Sequence, residues 1–113
     1  MSIFSRFNKG NPDLSSFDLS YHYHDPDREE IVVYNNGKGS KGPVKVVVMN
    51  EKKQQFEHGF EKIASRIGVL IHLAQFRDKN NLPFTGKLEQ VQIHYYGQKL
   101  VFFPEGNKFK LGK

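Results

Sequence analysis

Residues 51–77 read EKKQQFEHGFEKIASRIGVLIHLAQFR, and the period assigned to them decides the fold class. Phe56, Phe60, Ile63, Ile67, Leu70 and Ala74 recur at spacings of four and three, which places them on one face of an α-helix. Asn50 stands before the stretch as a suitable N-cap, because its side-chain oxygen can accept from backbone N–H groups two or three positions on. The spacing therefore predicts one helix from about Glu51 to about Arg77. At 1.5 Å per residue it would run for about 40 Å, long for a small domain, so a kink is expected near Gly59 or Gly68. Beyond Gly68 the run VLIHLAQF is apolar on every side and also fits a short strand; the continued helix is the reading adopted.

The flanking segments read as strands. In SSFDLSYHYH (15–24) Phe17, Leu19, Tyr21 and Tyr23 alternate with Asp18, Ser20, His22 and His24, and after the turn DPDRE the run EIVVY (30–34) completes a hairpin. VKVVVM (44–49) is a third strand, with Val44, Val46 and Val48 on one face. RDKNNLPFTG (77–86) is a connection, and LEQVQIHYYGQKLVFF (88–103) is a second hairpin turning on Gly97-Gln98 in type II′ geometry. That turn would set Tyr96 opposite Lys99, Tyr95 opposite Leu100, His94 opposite Val101 and Ile93 opposite Phe102. Pro104 ends the strand and EGNKFKLGK follows as a basic tail. The expected architecture is α+β: about five strands in a mainly antiparallel sheet, ordered ββ-β-α-ββ, with one long helix across one face. Residues 1–13 are read as a flexible arm and 14–113 as a single domain.

YNNGKGSKGPV (34–44) contains Gly37, Gly39, Gly42 and Val44 in the pattern G-x-G-x-x-G-x-V. A dinucleotide fingerprint needs a helix after the last glycine, where PVKVVVM is β-patterned. A kinase needs about twice this length together with H-R-D and D-F-G, and a P-loop needs Lys-Ser/Thr where Pro43-Val44 stand. The loop reads instead as a hairpin connection or as a basic finger carrying Lys38, Lys41 and Lys45 toward phosphates.

With no cysteine among 113 residues, disulfides, thiolate metal sites and thiol catalysis are excluded. No apolar run approaches the roughly 20 residues of a membrane helix, and a cytoplasmic protein is expected. The net charge of +5 is uneven, since residues 14–34 are acidic and the basic excess lies after them. No hydrolase elbow or H-E-x-x-H occurs, so no enzyme activity, cofactor or metal is expected. A metal-dependent nuclease would use His22, His24 and the nearby carboxylates, and a three-histidine metal site would need the two hairpins to bring His94 beside His22 and His24.

Ten phenylalanines and five tyrosines exceed what one helix-packed face of the second hairpin can absorb. That leaves His94, Tyr96, Lys99 and Phe103 as an aromatic and cationic outer face, a combination that stacks unpaired bases and pairs phosphates. The function expected is therefore a small non-enzymatic nucleic-acid-binding accessory protein favouring single-stranded DNA or RNA. Its candidate site comprises Lys38, Lys41, Lys45, His94, Tyr96, Lys99, Phe103, Lys108 and Lys110. The alternative is a protein-interaction or inhibitor module, homodimeric or facing an acidic protein surface, with the exposed aromatics as its interface.

Overall fold

The computed structural model describes residues 16–23, 29–106 and 108–112. The arm read over 1–13, His24 and the aspartates of the first turn lie outside them. Among the described residues all regular structure is β, apart from one 3-10 turn at Leu73–Gln75, so the α+β expectation is overturned. No described helix is long and apolar enough to cross a membrane.

β1 (Phe17–Tyr23) and β2 (Glu29–Asn35) form the first hairpin as read, and β3 is Val44–Asn50. The stretch that decided the fold supplies two strands, β4 (Gln55–Phe60) and β5 (Ile67–His72), where one helix was expected. β4 turns back on β3, pairing Val48 with Phe56 and Val44 with Phe60, and β5 crosses to pair with β2, Ile31 opposite Ile71. β6 (Leu88–Tyr95), β7 (Gln98–Glu105) and β8 (Lys108–Leu111) complete the chain. The result is two antiparallel sheets, ordered β1-β2-β5 and β4-β3-β6-β7-β8.

Three features of 51–77 oppose a helix. Gly59 and Gly68 each cost a helix about 1 kcal/mol relative to alanine, and Ile63, Ile67, Val69 and Ile71 are β-branched. The valine-rich β2 and β3 also need strand partners, which β5 and β4 provide. Asn50 does accept backbone N–H bonds, from Lys52 and Gln54 at 3.0 Å each, but it does so inside the β3–β4 turn, where Lys53 takes φ 66°. The side-chain chemistry that caps a helix closes an Asx-type turn equally well. Of the supposed helical stripe, Phe56 and Ile63 are buried but Ile67 and Leu70 lie 48% and 50% exposed, while Ile71, Leu73 and Phe76, which are not on it, occupy the core.

One core joins the two sheets: Phe17, Leu19, Ile31, Val33 and Ile71 from the three-stranded sheet meet Val44, Val46, Val48, Phe56, Val91, Ile93 and Phe102 from the other. Edge-to-face contacts of Phe17 with Tyr95 at 5.4 Å and Tyr21 with Phe109 at 5.7 Å bind the layers on the β1 side.

The second hairpin turns on Tyr96-Gly97, at φ 51° and 75°, a type I′ turn rather than the expected type II′ at Gly97-Gln98. Tyr95 pairs with Gln98, His94 with Lys99, Ile93 with Leu100 and Val91 with Phe102. The partners are displaced by two residues from those expected, and a shift of two preserves alternation. Val91, Ile93, Tyr95, Leu100 and Phe102 consequently still share the inner face. Pro104 lies within β7, beyond its last β6 pair, and the supposed basic tail is β8, pairing Phe103 with Lys110 and Glu105 with Lys108.

Candidate nucleic-acid interface

Because Val44, Val46 and Val48 of β3 and Val91, Ile93 and Tyr95 of β6 point inward, alternation turns Lys45, Val47 and Met49, and Gln90, Gln92 and His94, to the outside of the five-stranded sheet. The cross-strand registers then order this face in rows. One row runs Gly59, Lys45, His94, Lys99 across β4, β3, β6 and β7. A parallel row, four residues along, carries Gln55, Met49, Gln90, Phe103 and Lys110, the Gln90–Phe103 step following from the β6–β7 alternation. Lys108 lies beyond, beside Glu105. Six of the nine candidate residues therefore share one surface: Lys45, His94, Lys99, Phe103, Lys108 and Lys110.

The other three do not join it as expected. Tyr96 sits in the hairpin turn, 65% exposed, its ring edge-to-face with Tyr95 at 4.6 Å. Five residues of strand separate Gln98, next to that turn, from Phe103, roughly 17 Å at the ordinary rise. Tyr96 and Phe103 thus cannot form one stacking platform. Lys38 and Lys41 belong to the glycine loop, which is held rather than free. Asn35, fully buried, donates through Nδ2 to the Gly39 and Ile63 carbonyls at 3.0 Å and accepts from the Gly37 N–H at 3.0 Å. Ser65 Oγ donates to the Gly37 carbonyl at 2.6 Å, and Lys41 and Ile63 exchange backbone bonds of 2.9 and 2.8 Å. Gly42 is required by close approach, since a Cβ there would stand 1.9 Å from the Glu61 carbonyl oxygen. Lys38 is exposed on this loop, and Lys41 folds its ammonium back toward Gly37.

The Lys45–His94–Lys99 row has the chemistry of an anion site. Burial, Lys45 and Lys99, in that order, hold the His94 pKa below its ordinary value of 6.5, with Glu57 opposing them. Gln92 donates to Gln90 Oε1 at 2.5 Å, so its own oxygen accepts from His94 Nε2–H at 2.8 Å. Nδ1 is then the atom that gains the proton. The Lys45–Glu57 pair, 3.8 Å apart and about half exposed on both sides, is screened and worth little. Above Gly59 the nearest atom to an added Cβ is the Val44 carbonyl oxygen at 3.9 Å. Beside Gly59 lies a groove of about 610 Å³ that Lys45, Phe60, His94 and Tyr96, together with the carboxylates of Glu57 and Glu61, help to line. At the far end of the face Phe103, 42% exposed, lays its ring over Gly112, where a Cβ would meet Cε2 at 2.3 Å.

The histidines do not converge. His22 faces outward from β1, in hydrogen-bond contact with Ser20 Oγ at 3.2 Å, whereas His94 faces outward from the opposite sheet. Among the described residues no group of three His, Asp or Glu is placed to hold a metal ion. Gly59, Gln90 and Gln92 join the face beyond the residues singled out from the sequence; the alternation of β6 already sets the two glutamines beside His94, whereas Gly59 reads in the sequence as a helix kink. No protein-family model, curated protein or solved structure matches this chain.

Proposed function

We propose that the outer face of the five-stranded sheet binds single-stranded nucleic acid. The observation that carries this reading is the alignment of Lys45, His94 and Lys99 in one row beside an open floor at Gly59, with Phe103 and Lys110 paired on the same face. The lysines pair phosphates without base preference, and the exposed Phe103 ring offers a stacking surface. A duplex hides its base faces inside the stack, so an exposed aromatic on a sheet favours unpaired strands. Tyr96 borders the row at the hairpin turn, lining the same groove as Lys45 and His94, where it extends the path of the backbone. The protein acts in this reading as a binding module with no bond-breaking step.

Titration of a labelled single-stranded 20-mer, of DNA and of RNA, at two salt concentrations tests the reading. Micromolar binding is expected, with the logarithm of affinity falling by about 0.7 per decade of salt for each contacted phosphate, hence a slope near −3 for four contacts. Absence of binding even at low salt would remove the proposal.

His94 supplies a second expectation. Free His94 is mostly neutral at pH 7, because its pKa is lowered. A phosphate between Lys45 and Lys99 stabilises the imidazolium and raises that pKa, so binding takes up a proton. Affinity should therefore rise as pH falls through the region near and below 6.5, by up to about tenfold for one unit of pKa difference between free and bound protein. His94→Gln should flatten this profile; an unchanged profile in that variant would place the proton elsewhere.

A further inference from the structure

β5 is the outer strand of the three-stranded sheet; among the described residues no strand pairs with its free edge, where only the His72 N–H is taken, by Gln75 Oε1 at 2.9 Å. Open edges are templates for further strands, and proteins ordinarily guard them with charge, proline, bulges or a covering segment. The other outer strands show such guards. Arg77 covers the β4 edge at Glu57 with backbone bonds of 2.8 and 3.1 Å, and β8 carries Lys108 and Lys110. β1 faces β8 through the Tyr21–Phe109 contact. β5, IGVLIH, has neither lysine nor proline, and its register with β2 runs unbroken from Glu30 opposite His72 to Asn35 opposite Ile67. Ile67 and Leu70 on it are about half exposed.

We infer that the free edge of β5 pairs, antiparallel and about a twofold axis, with β5 of a second copy of this chain, joining the two three-stranded sheets into one of six strands. Only alternate residues of an edge strand point their N–H and C=O groups outward, so a twofold pairing must oppose residues of equal parity. A register centred on Val69 satisfies this, setting Gly68 against Leu70 of the second copy and Ile67 against its Ile71. The fit is self-complementary. Gly68 leaves a gap on the outer face that the Tyr34 ring overlies, since a Cβ there would stand 2.6 Å from Tyr34 Cε1. Leu70 of the second copy enters beside that ring. The same register carries Arg66 toward the paired His72 and Glu30 of the other chain, whose Nδ1 and Oε2 are 3.2 Å apart. The twofold repeats this match of cation with carboxylate at both ends of the seam.

Sedimentation equilibrium of the full chain between about 5 and 500 µM, a range that brackets micromolar dissociation constants, tests the inference. A reversible dimer is expected, weakened at least tenfold by Leu70→Lys, which sets an ammonium beside Tyr34 at each end of the seam. Leu70 is half exposed, so the substitution leaves the core intact, and Arg66→Glu provides an independent variant expected to weaken the dimer in the same direction. β5 amides should gain hydrogen-exchange protection as concentration rises. A monomer throughout this range, or a dimer that both variants leave unchanged, would overturn the inference. Nucleic-acid binding lies on the other sheet and is measured separately, so either result leaves that reading to its own test.

Discussion

Asn35→Ala is expected to lower stability by about 3 kcal/mol and the melting midpoint by roughly 15 °C, among the largest effects of any polar substitution in the chain. Asn35 ends β2 at the point where the chain enters the glycine loop, and it is completely buried. Its amide nitrogen donates to the Gly39 and Ile63 carbonyls at 3.0 Å each and lies 3.3 Å from the Ala64 carbonyl; its oxygen accepts from the Gly37 N–H at 3.0 Å. One side chain thus ties the loop to the segment between β4 and β5. Alanine leaves the Gly37 N–H and the Ala64 carbonyl without this partner and opens a cavity the size of an amide. The Ile63 carbonyl keeps its bond from the Lys41 N–H, which holds the cost near 3 kcal/mol rather than higher. Asn35→Asp should be at least as damaging, because it puts an acceptor against carbonyl oxygens and buries a charge. Urea denaturation of both variants measures the effect. A loss below about 0.5 kcal/mol, the size of an ordinary surface change, would show that Ser65 and the Lys41–Ile63 bridge hold the loop without Asn35.

Much of the strand pattern is legible in the residues, and the failures have specific causes. Alternation in FDLSYHY and VKVVVM places the inward faces of β1 and β3 correctly, because polar and apolar positions there differ sharply. In IGVLIH the contrast disappears: Gly68 offers no side chain to read, and Leu70 is apolar yet faces outward. Five of its six positions then fit any period, and the preceding Phe56, Phe60 and Ile63 supply a false helical one. In β4 Phe56, His58 and Phe60 alternate with Glu57 and Gly59, a period of two that the four-residue spacing of the phenylalanines also satisfies. NKFKL carried a strand signal in its alternation of lysine with Phe109 and Leu111, masked by its position after Pro104. The turn at Tyr96-Gly97 was illegible for a different reason. Tyrosine rarely adopts positive φ, so glycine naturally reads as the first turn residue when it is in fact the second. His94, Lys99 and Phe103 still share one face despite the wrong turn, because a displacement of two residues leaves alternation along β6 and β7 intact, whereas Tyr96 moves off that face into the turn.

Replacing Lys45, Lys99, Lys108 and Lys110 together by glutamine is expected to weaken single-strand binding by about 4,000-fold at about 50 mM salt. Each phosphate contact to a single strand scales affinity with salt to about the −0.7 power, which is roughly eightfold per contact at that concentration, and four such factors multiply to about this value. The salt slope should fall by nearly 3 in the same variant. The substitutions cost the fold little, because all four lysines are exposed and the ion pair found for them among the described residues, Lys45 with Glu57, is open to solvent. A control of equal charge separates contact from general attraction: Lys52, Lys53, Lys79 and Lys87 lie in the β3–β4 turn and the connections flanking Leu82, away from the Lys45–His94–Lys99 row. Converting those four to glutamine removes the same net charge and should change affinity by less than about tenfold, since none of them stands on the strand rows that would contact phosphates. Phe103→Ala then isolates stacking, with an expected loss of about 1–3 kcal/mol and an unchanged salt slope, because no phosphate contact is removed. Equal losses in the two lysine sets would mean that the strand responds to total charge rather than to this face. In that case the outer surface of the five-stranded sheet would lose its claim to be the site.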